Sequence, residues 1–264
     1  MRYAVGIEYD GTDFHGWQTQ VGVRTVQEQV QSALSLVANH PVKVQCAGRT
    51  DTGVHAFAQV IHFDSDSDRS IRNWTLGANV NLPKDVNINW ILPVPDDFHA
   101  RFSAISRRYK YVIYNGFTRS SIWRNRAVWE RRPLDLALMQ EAAKPLIGTH
   151  DFTSYRAIGC QAKSPVRTLS SLELTKDGSF ISIELEANGF LHHMVRNIAG
   201  VLIYIGCAER PVSWSKEVLE HRDRTLGGIT APPEGLYFTG VDYPAEYGIP
   251  NGVVEIGPVS QLYE

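Results

Sequence analysis

A chain of 264 residues that is 43% hydrophobic and 20% charged has the balance of a globular protein, long enough for one large core or two modest halves. No apolar run is long enough to cross a bilayer, and the first residues lack the apolar core and cleavage site of a signal peptide. Cys46, Cys160 and Cys207 are odd in number and far apart, which argues against a disulfide framework or a zinc knuckle and for a reducing cytoplasm, and a net charge of −2 gives no overall pull toward nucleic acid.

In chain order, residues 3–9 read as a strand and 11–22 as a loop. Thr25-Val-Gln-Glu28 has the form of a capping box opening a helix that ends near His40-Pro41. Residues 42–46 and 57–63 look like strands flanking a tight polar loop, Gly48-Arg-Thr-Asp-Thr-Gly53. Ser70 is placed to cap a short helix through Asn79, and 86–92 resembles a strand. The opening then recurs: Arg108-Tyr-Lys-Tyr-Val-Ile-Tyr-Asn-Gly116 matches Arg2-Tyr-Ala-Val-Gly-Ile-Glu-Tyr-Asp-Gly11 once a single gap is allowed.

Beyond it lie a helix over 134–146 and a strand pair, 166–174 and 180–187, turning at Lys176-Asp-Gly178. Leu191, Met194, Val195, Ile198, Leu202 and Ile205 recur at helical spacing, so 191–205 is predicted as a helix with a wide apolar face. Residues 236–241 form a last strand. This order predicts an α+β fold of two related halves, 1–104 and 105–264, with mostly antiparallel sheets.

Charge is unevenly spread. Between Arg101 and Arg132 nine basic residues stand against one acid, Glu130, a local +8 that leaves −10 for the rest. Such polarity draws a polyanion to one face, and Tyr109, Tyr111, Tyr114, Trp123 and Trp129 are interleaved with it as platforms for unstacked bases. A solvated basic surface over an aromatic core fits the same composition equally well.

The loop continuing to Val-His-Ala56 is the most informative stretch. Two glycines permit sharp turns, and Asp51 falls at the tip between flanking strands, although an Asp that caps its own turn is the commoner arrangement. Arg49 is either a partner for Asp51 or phosphate, or a surface charge. Arg196 stands off the apolar stripe of its helix. Adjacent His192 and His193, read as helical, diverge and belong to no visible metal set, so no metal is expected. Phe14 and Trp17 fit either an RNA-facing or a core role, and His55 and Cys46 lack a third orienting residue that would make a nucleophile pair.

Gly48-Arg-Thr-Asp-Thr-Gly-Val-His-Ala56 resembles the signature of the tRNA pseudouridine synthase I family, often called TruA. Further blocks resemble the family in order: Tyr9-Asp-Gly-Thr-Asp-Phe-His-Gly-Trp-Gln18, Phe98-His-Ala-Arg-Phe-Ser-Ala104, Arg107-Arg-Tyr-Lys-Tyr111, Gly148-Thr-His-Asp-Phe152, Arg167-Thr-Leu169, Phe190-Leu-His-His-Met-Val-Arg-Asn197 and Ala231-Pro-Pro-Glu-Gly-Leu236. Together they cover the chain from about Tyr3 to Val241.

The resemblance implies a base-flipping isomerase acting on uridines 38 to 40 of the tRNA anticodon stem-loop, as a cytoplasmic homodimer with no cofactor, no membrane and no DNA. It implies two halves joined around a central RNA-binding cleft with helices on the outer faces. By position, Asp51 matches the catalytic aspartate, and Tyr109 a tyrosine that packs on the uracil and is a candidate proton acceptor. Arg196 matches a residue paired with the aspartate, Arg49 an arginine that helps extrude the nucleotide, and Leu236 an apolar residue beside the base.

Overall fold

The computed structural model describes residues 1–250. They form two compact units, one of Met1–Ser106 with 237–250 and one of Arg107–Leu236. The chain passes into the second unit at Arg107 and returns to the first at Tyr237.

In the first unit β1 (Arg2–Tyr9) lies between two antiparallel partners, β3 (His55–Asp64) and β4 (Val86–Val94), with Val5 opposite both Ile61 and Ile91. Covered on both sides, β1 buries five residues in succession rather than every second one. Strand β10 (Leu236–Asp242) adds to β3 in parallel, Tyr237 opposite His55 and Phe238 opposite Ala56.

Helix α1 (Val26–Ala38) buries Val26, Val30, Ala33, Leu34 and Ala38, and α2 (Ile71–Asn81) buries Trp74 and Ala78. Trp74 meets Tyr3 and Phe63 at centroid distances of 5.6 and 5.1 Å, which joins α2 to the sheet. Ser70 caps α2 as expected, its hydroxyl accepting from the Asn73 amide.

The Thr25 capping box does not form. Thr25 is the N-cap residue, but its hydroxyl is buried without a partner. The first two helix amides, Val26 and Gln27, donate instead to the carbonyls of Gly16 and Trp17, so loop backbone does the work assigned to the side chain. The strand expected over 42–46 shrinks to β2 (Gln45–Cys46) on β3. The Val42 and Val44 amides are taken by Ser35 Oγ and Gln31 Oε1 of α1, which leaves no strand ladder there.

The second unit carries β5 (Ser106–Tyr114), β9 (Phe180–Ala187), β8 (Val166–Asp177) and β7 (Gly148–Asp151) as successive antiparallel neighbours, with two-residue β6 (Val128–Trp129) parallel to β5. Tyr109, Tyr111 and Ile113 of β5 are buried, while Arg108 and Lys110 on the opposite face lie beside Glu186 and Glu184 of β9.

Helix α3 (Leu136–Ala143), capped by Asp135, is shorter than expected. Pro145 lacks an amide to continue the ladder, and residues 144–146 tighten into a 3₁₀ turn. Helix α4 (Met194–Gly206) buries 11 of its 13 residues, and α5 (Trp214–His221) packs near it. The architecture is α+β and mostly antiparallel, with β10 running parallel to β3 and β6 parallel to β5. No helix among the described residues is long and apolar enough to cross a membrane.

Candidate active site

The loop after β2 is tied down by backbone bonds from a distant segment. The Thr50 carbonyl accepts from the Trp17 amide at 3.0 Å, the Gly53 amide donates to the Phe14 carbonyl at 3.3 Å, and the Val54 amide closes back on the Asp51 carbonyl at 3.2 Å. Gly16 makes this approach possible. Its φ is +80°, and a Cβ there would stand 2.7 Å from the Thr50 carbonyl oxygen and 3.1 Å from the Asp51 carbonyl carbon.

Phe14 and Trp17, each 1% exposed, are core residues that hold this turn and not RNA-facing ones. The Arg24 guanidinium covers Phe14 at 4.0 Å and pairs with both carboxylate oxygens of Asp85, fixing the other side of the turn. Asp51 is thus half-buried on an immobilised backbone, between buried Thr50 and exposed Thr52, and Arg49 is exposed in the same loop.

His55 and Cys46 do not form a nucleophile pair. The His55 ring is 3% exposed and stacks on Tyr237 at 4.8 Å. Its Nδ1 lies 3.0 Å from the Gly11 amide nitrogen and 3.1 Å from Asp10 Oδ1, a strap on the turn after β1. Burial pushes the Cys46 thiol up to about 12, too high for a thiolate at neutral pH.

The second unit brings Tyr109, Arg196 and Leu236 onto one framework. Tyr109 is 9% exposed on β5, with its ring edge-on to Phe190 at 5.0 Å. Arg196 is the third residue of α4 and half-buried; its Nε donates to the Ala231 carbonyl at 2.8 Å, and its own carbonyl accepts from the Ala231 amide at 3.1 Å.

The segment starting at Ala231 is bound to β5 at its other end. The Tyr111 hydroxyl donates to the Pro232 carbonyl and the Val112 amide to the Gly235 carbonyl, each at 2.8 Å, before buried Leu236 begins β10. Gly235 has to be glycine, since a Cβ would lie 2.4 Å from the Val112 oxygen. Residues 231–236 therefore splice the strand bearing Tyr109 to the helix bearing Arg196, a role no sequence pattern announced.

His192 and His193 differ from expectation. They precede α4, which starts at Met194, and His193 adopts a left-handed backbone with φ 61°. The two rings lie 4.0 Å apart, so the divergence assumed for helical neighbours does not occur.

The basic segment is also less uniform than its count. Lys110 pairs with Glu184 at 2.9 Å, Arg108 approaches Glu186 at 3.9 Å, and Arg132 binds Glu130 and Glu209 at 2.6 and 2.7 Å. Arg119, Arg124 and Arg131 are exposed, along with Phe117 and Ile122 at 92% and 76%. Most of the interleaved aromatics are structural. Tyr111 is fully buried, and Tyr114 and Trp123 both pack on Phe180, which leaves Trp129 as the exposed ring.

The chain is similar to known proteins over most of its length. The family model described as tRNA pseudouridine synthase matches residues 6–103 and 142–244. The tRNA pseudouridine synthase A of Alcanivorax borkumensis is 59% identical over 251 residues, covering 95% of this chain and 94% of that protein. Its counterpart in Legionella pneumophila (strain Corby) is 53% identical, covering 94% and 95%, and that of Pseudomonas aeruginosa is 54% identical, covering 95% and 88%.

Proposed function

This chain belongs to the tRNA pseudouridine synthase family, and we propose that it converts uridine to pseudouridine at positions 38 to 40 of the tRNA anticodon stem-loop, with Asp51 as its catalytic carboxylate. The observation that carries the assignment is the family match over both units, which takes in the whole Gly48–Ala56 loop. The enzyme is an isomerase: the bond from C1′ to N1 breaks, the uracil turns, and C5 takes the place of N1 on the sugar. The proton that leaves C5 is the only atom lost from the base, and N1 gains one, so the reaction balances without a redox partner. The reading uses no cofactor and no metal.

A uracil stacked in a stem cannot reach a carboxylate, so the nucleotide is flipped out at a cost of a few kcal/mol. Tyr109 recovers part of this by stacking, a contact worth about 1–3 kcal/mol per base. Its ring is already pressed edge-on to Phe190, which limits the freedom lost on binding. Asp51 then acts as nucleophile, or as the base that removes a sugar proton. Its fixed backbone supports either role, because a held reactant avoids the entropic cost of alignment.

Arg196 is the counter-charge to Asp51 in this reading. The bond from Nε to the Ala231 carbonyl at 2.8 Å orients the guanidinium at the start of α4. Arg49, exposed beside Asp51, helps extrude the nucleotide, and Leu236 lies against the base. The protein works as a cytoplasmic homodimer.

Unmodified tRNA carrying tritium at uracil C5 tests the function directly. Release of tritium to water with the base retained on the RNA is the expected result. Free labelled uracil would instead mark a glycosidase, and binding with neither product would mark a module without chemistry.

A further inference from the structure

We propose that Tyr9 and Gln59 are positioning residues for the isomerisation, fixing the loop backbone before Asp51 through Gly48 and Thr50; the inference rests on Asp51 being the catalytic carboxylate. Gln59 lies on β3 with no exposed surface, and a buried primary amide has to find partners or destabilise the fold. It finds them on the loop. Its Nε2 donates to the Gly48 carbonyl at 2.6 Å, and its Oε1 accepts from the Gly48 amide at 3.4 Å, a two-way clamp on one residue. The same Nε2 lies 3.5 Å from the Tyr9 hydroxyl, which is 2.7 Å from Thr50 Oγ1.

Because the Gln59 nitrogen can only donate, the Tyr9 oxygen accepts from it and the Tyr9 hydrogen is left for Thr50. Tyr9 and Thr50 are 4% and 7% exposed, and burial raises the Tyr9 phenol, so that hydrogen stays in place at neutral pH.

Strand pairing alone does not require these contacts. Ile7 pairs with Gln59 and Tyr9 with Ala56 through backbone, and the register shifts between Ile7 and Tyr9, an irregularity of the kind that re-aims a side chain. The re-aimed hydroxyl falls on the residue immediately before Asp51. A hydrogen-bond chain from the sheet thus ends one peptide from the carboxylate, where a displacement of about 1 Å is enough to cost a hundred-fold in rate.

Tyr9→Phe and Thr50→Val each delete one hydroxyl with little change of shape. Single-turnover conversion of tritiated tRNA at saturating enzyme should slow by about ten-fold or more in each. Affinity for tRNA should stay within about two-fold, and each variant should remain folded at the assay temperature. The double variant should be no slower than the slower single one, since both remove the same bond.

A folded variant that turns over at the wild-type rate would overturn the proposal, as would a loss of rate that merely tracks lost affinity or the unfolded fraction. If Tyr9→Phe does not fold, Thr50→Val decides the matter. Asp51→Asn assayed in parallel separates the two claims. An active Asp51→Asn enzyme removes the carboxylate assignment itself, whereas an inactive one beside wild-type rates for Tyr9→Phe and Thr50→Val removes only the positioning role.

Discussion

Asp51 sits on a loop that has no regular structure of its own and is held by bonds from β1, β3 and the 14–17 turn. Tyr109 and Arg196 sit on a strand and a helix, where the element fixes the backbone and one short segment, 231–236, fixes the two elements to each other. The loop reaches its geometry through many contacts that each serve one residue, and the elements through few contacts that serve several. A side chain that does chemistry gains from the first arrangement, since the loop brings backbone close to a substrate without presenting a sheet face. A side chain that supplies a surface or a charge gains from the second, which tolerates large substrates without local yielding.

Replacing Asp51 probes the first arrangement most severely. Asp51→Asn keeps size and hydrogen-bonding capacity but removes the charge, and turnover should fall by at least about 10³-fold. Affinity for tRNA should hold within a few fold, because phosphate contacts dominate binding. Pseudouridine formed well above a mock preparation would show that the chemistry lies elsewhere.

Arg196→Met probes the second. It keeps much of the stem and loses both the guanidinium and the bond to Ala231, so the rate at saturating tRNA should drop by roughly 10²-fold, with a smaller change in affinity. Helix α4 is otherwise secured by its 11 buried residues, and the melting temperature should move little. An unchanged single-turnover rate would mean that Arg196 serves the 231–236 splice and not the reaction.

These contrasts explain what could be read in advance. The Asp51 loop was legible because glycines and polar residues interrupt strand patterns on both sides, and the Lys176–Gly178 turn and the Ser70 cap were legible for the same local reason. Tyr109 was not. It alternates with Tyr111 on β5 exactly as a core residue would, so only the family resemblance set it apart. The Thr25 cap and the 42–44 strand failed because segments distant in sequence supplied the bonds that local pattern assigned to neighbours. The return of Tyr237 to pair with His55 has no local signal at all.

A third test concerns the exposed basic stretch of the second unit, where neither buried loop nor packed element is involved. Arg119, Arg124 and Arg131 are exposed, unlike Arg132, which its two glutamates occupy. Replacing the three by Gln should weaken binding to many tRNAs alike and flatten the slope of log affinity against log salt by up to about two to three units. The chemical step at saturating tRNA should change far less. A folded triple variant with the wild-type slope would rule out this stretch as the docking surface.

The smallest effect on activity, and the cleanest on stability, is expected at the opposite end of β3 from the Asp51 loop. His62 is 4% exposed and its Nδ1 accepts from the Ala100 amide, so the ring has to stay neutral there. Burial, aided by His99 and Arg2, lowers its pKa to about 4 from 6.5, against a weaker opposing pull from Asp64. In the unfolded chain the ring titrates near 6.5, so between those values the unfolded state binds the extra proton and stability rises with pH. The contribution is complete above pH 6.5 and is lost as the pH falls through about 4. At pH 5 the loss amounts to about 2 kcal/mol, or a fall of several degrees in melting temperature. His99, 4.6 Å away and also lowered by burial, adds to it in the same direction. His62→Asn offers an amide oxygen near the position of Nδ1 and cannot titrate. The variant should therefore lose clearly less melting temperature between pH 7 and pH 5 than the parent does, keeping only the smaller part that His99 contributes, even if it is less stable than the parent at pH 7. Equal losses in parent and variant over that range would place the acid sensitivity at other groups, and turnover at pH 7 should be little affected in either case, because the Asp51 loop takes its bonds from Tyr9, Gln59 and the 14–17 turn.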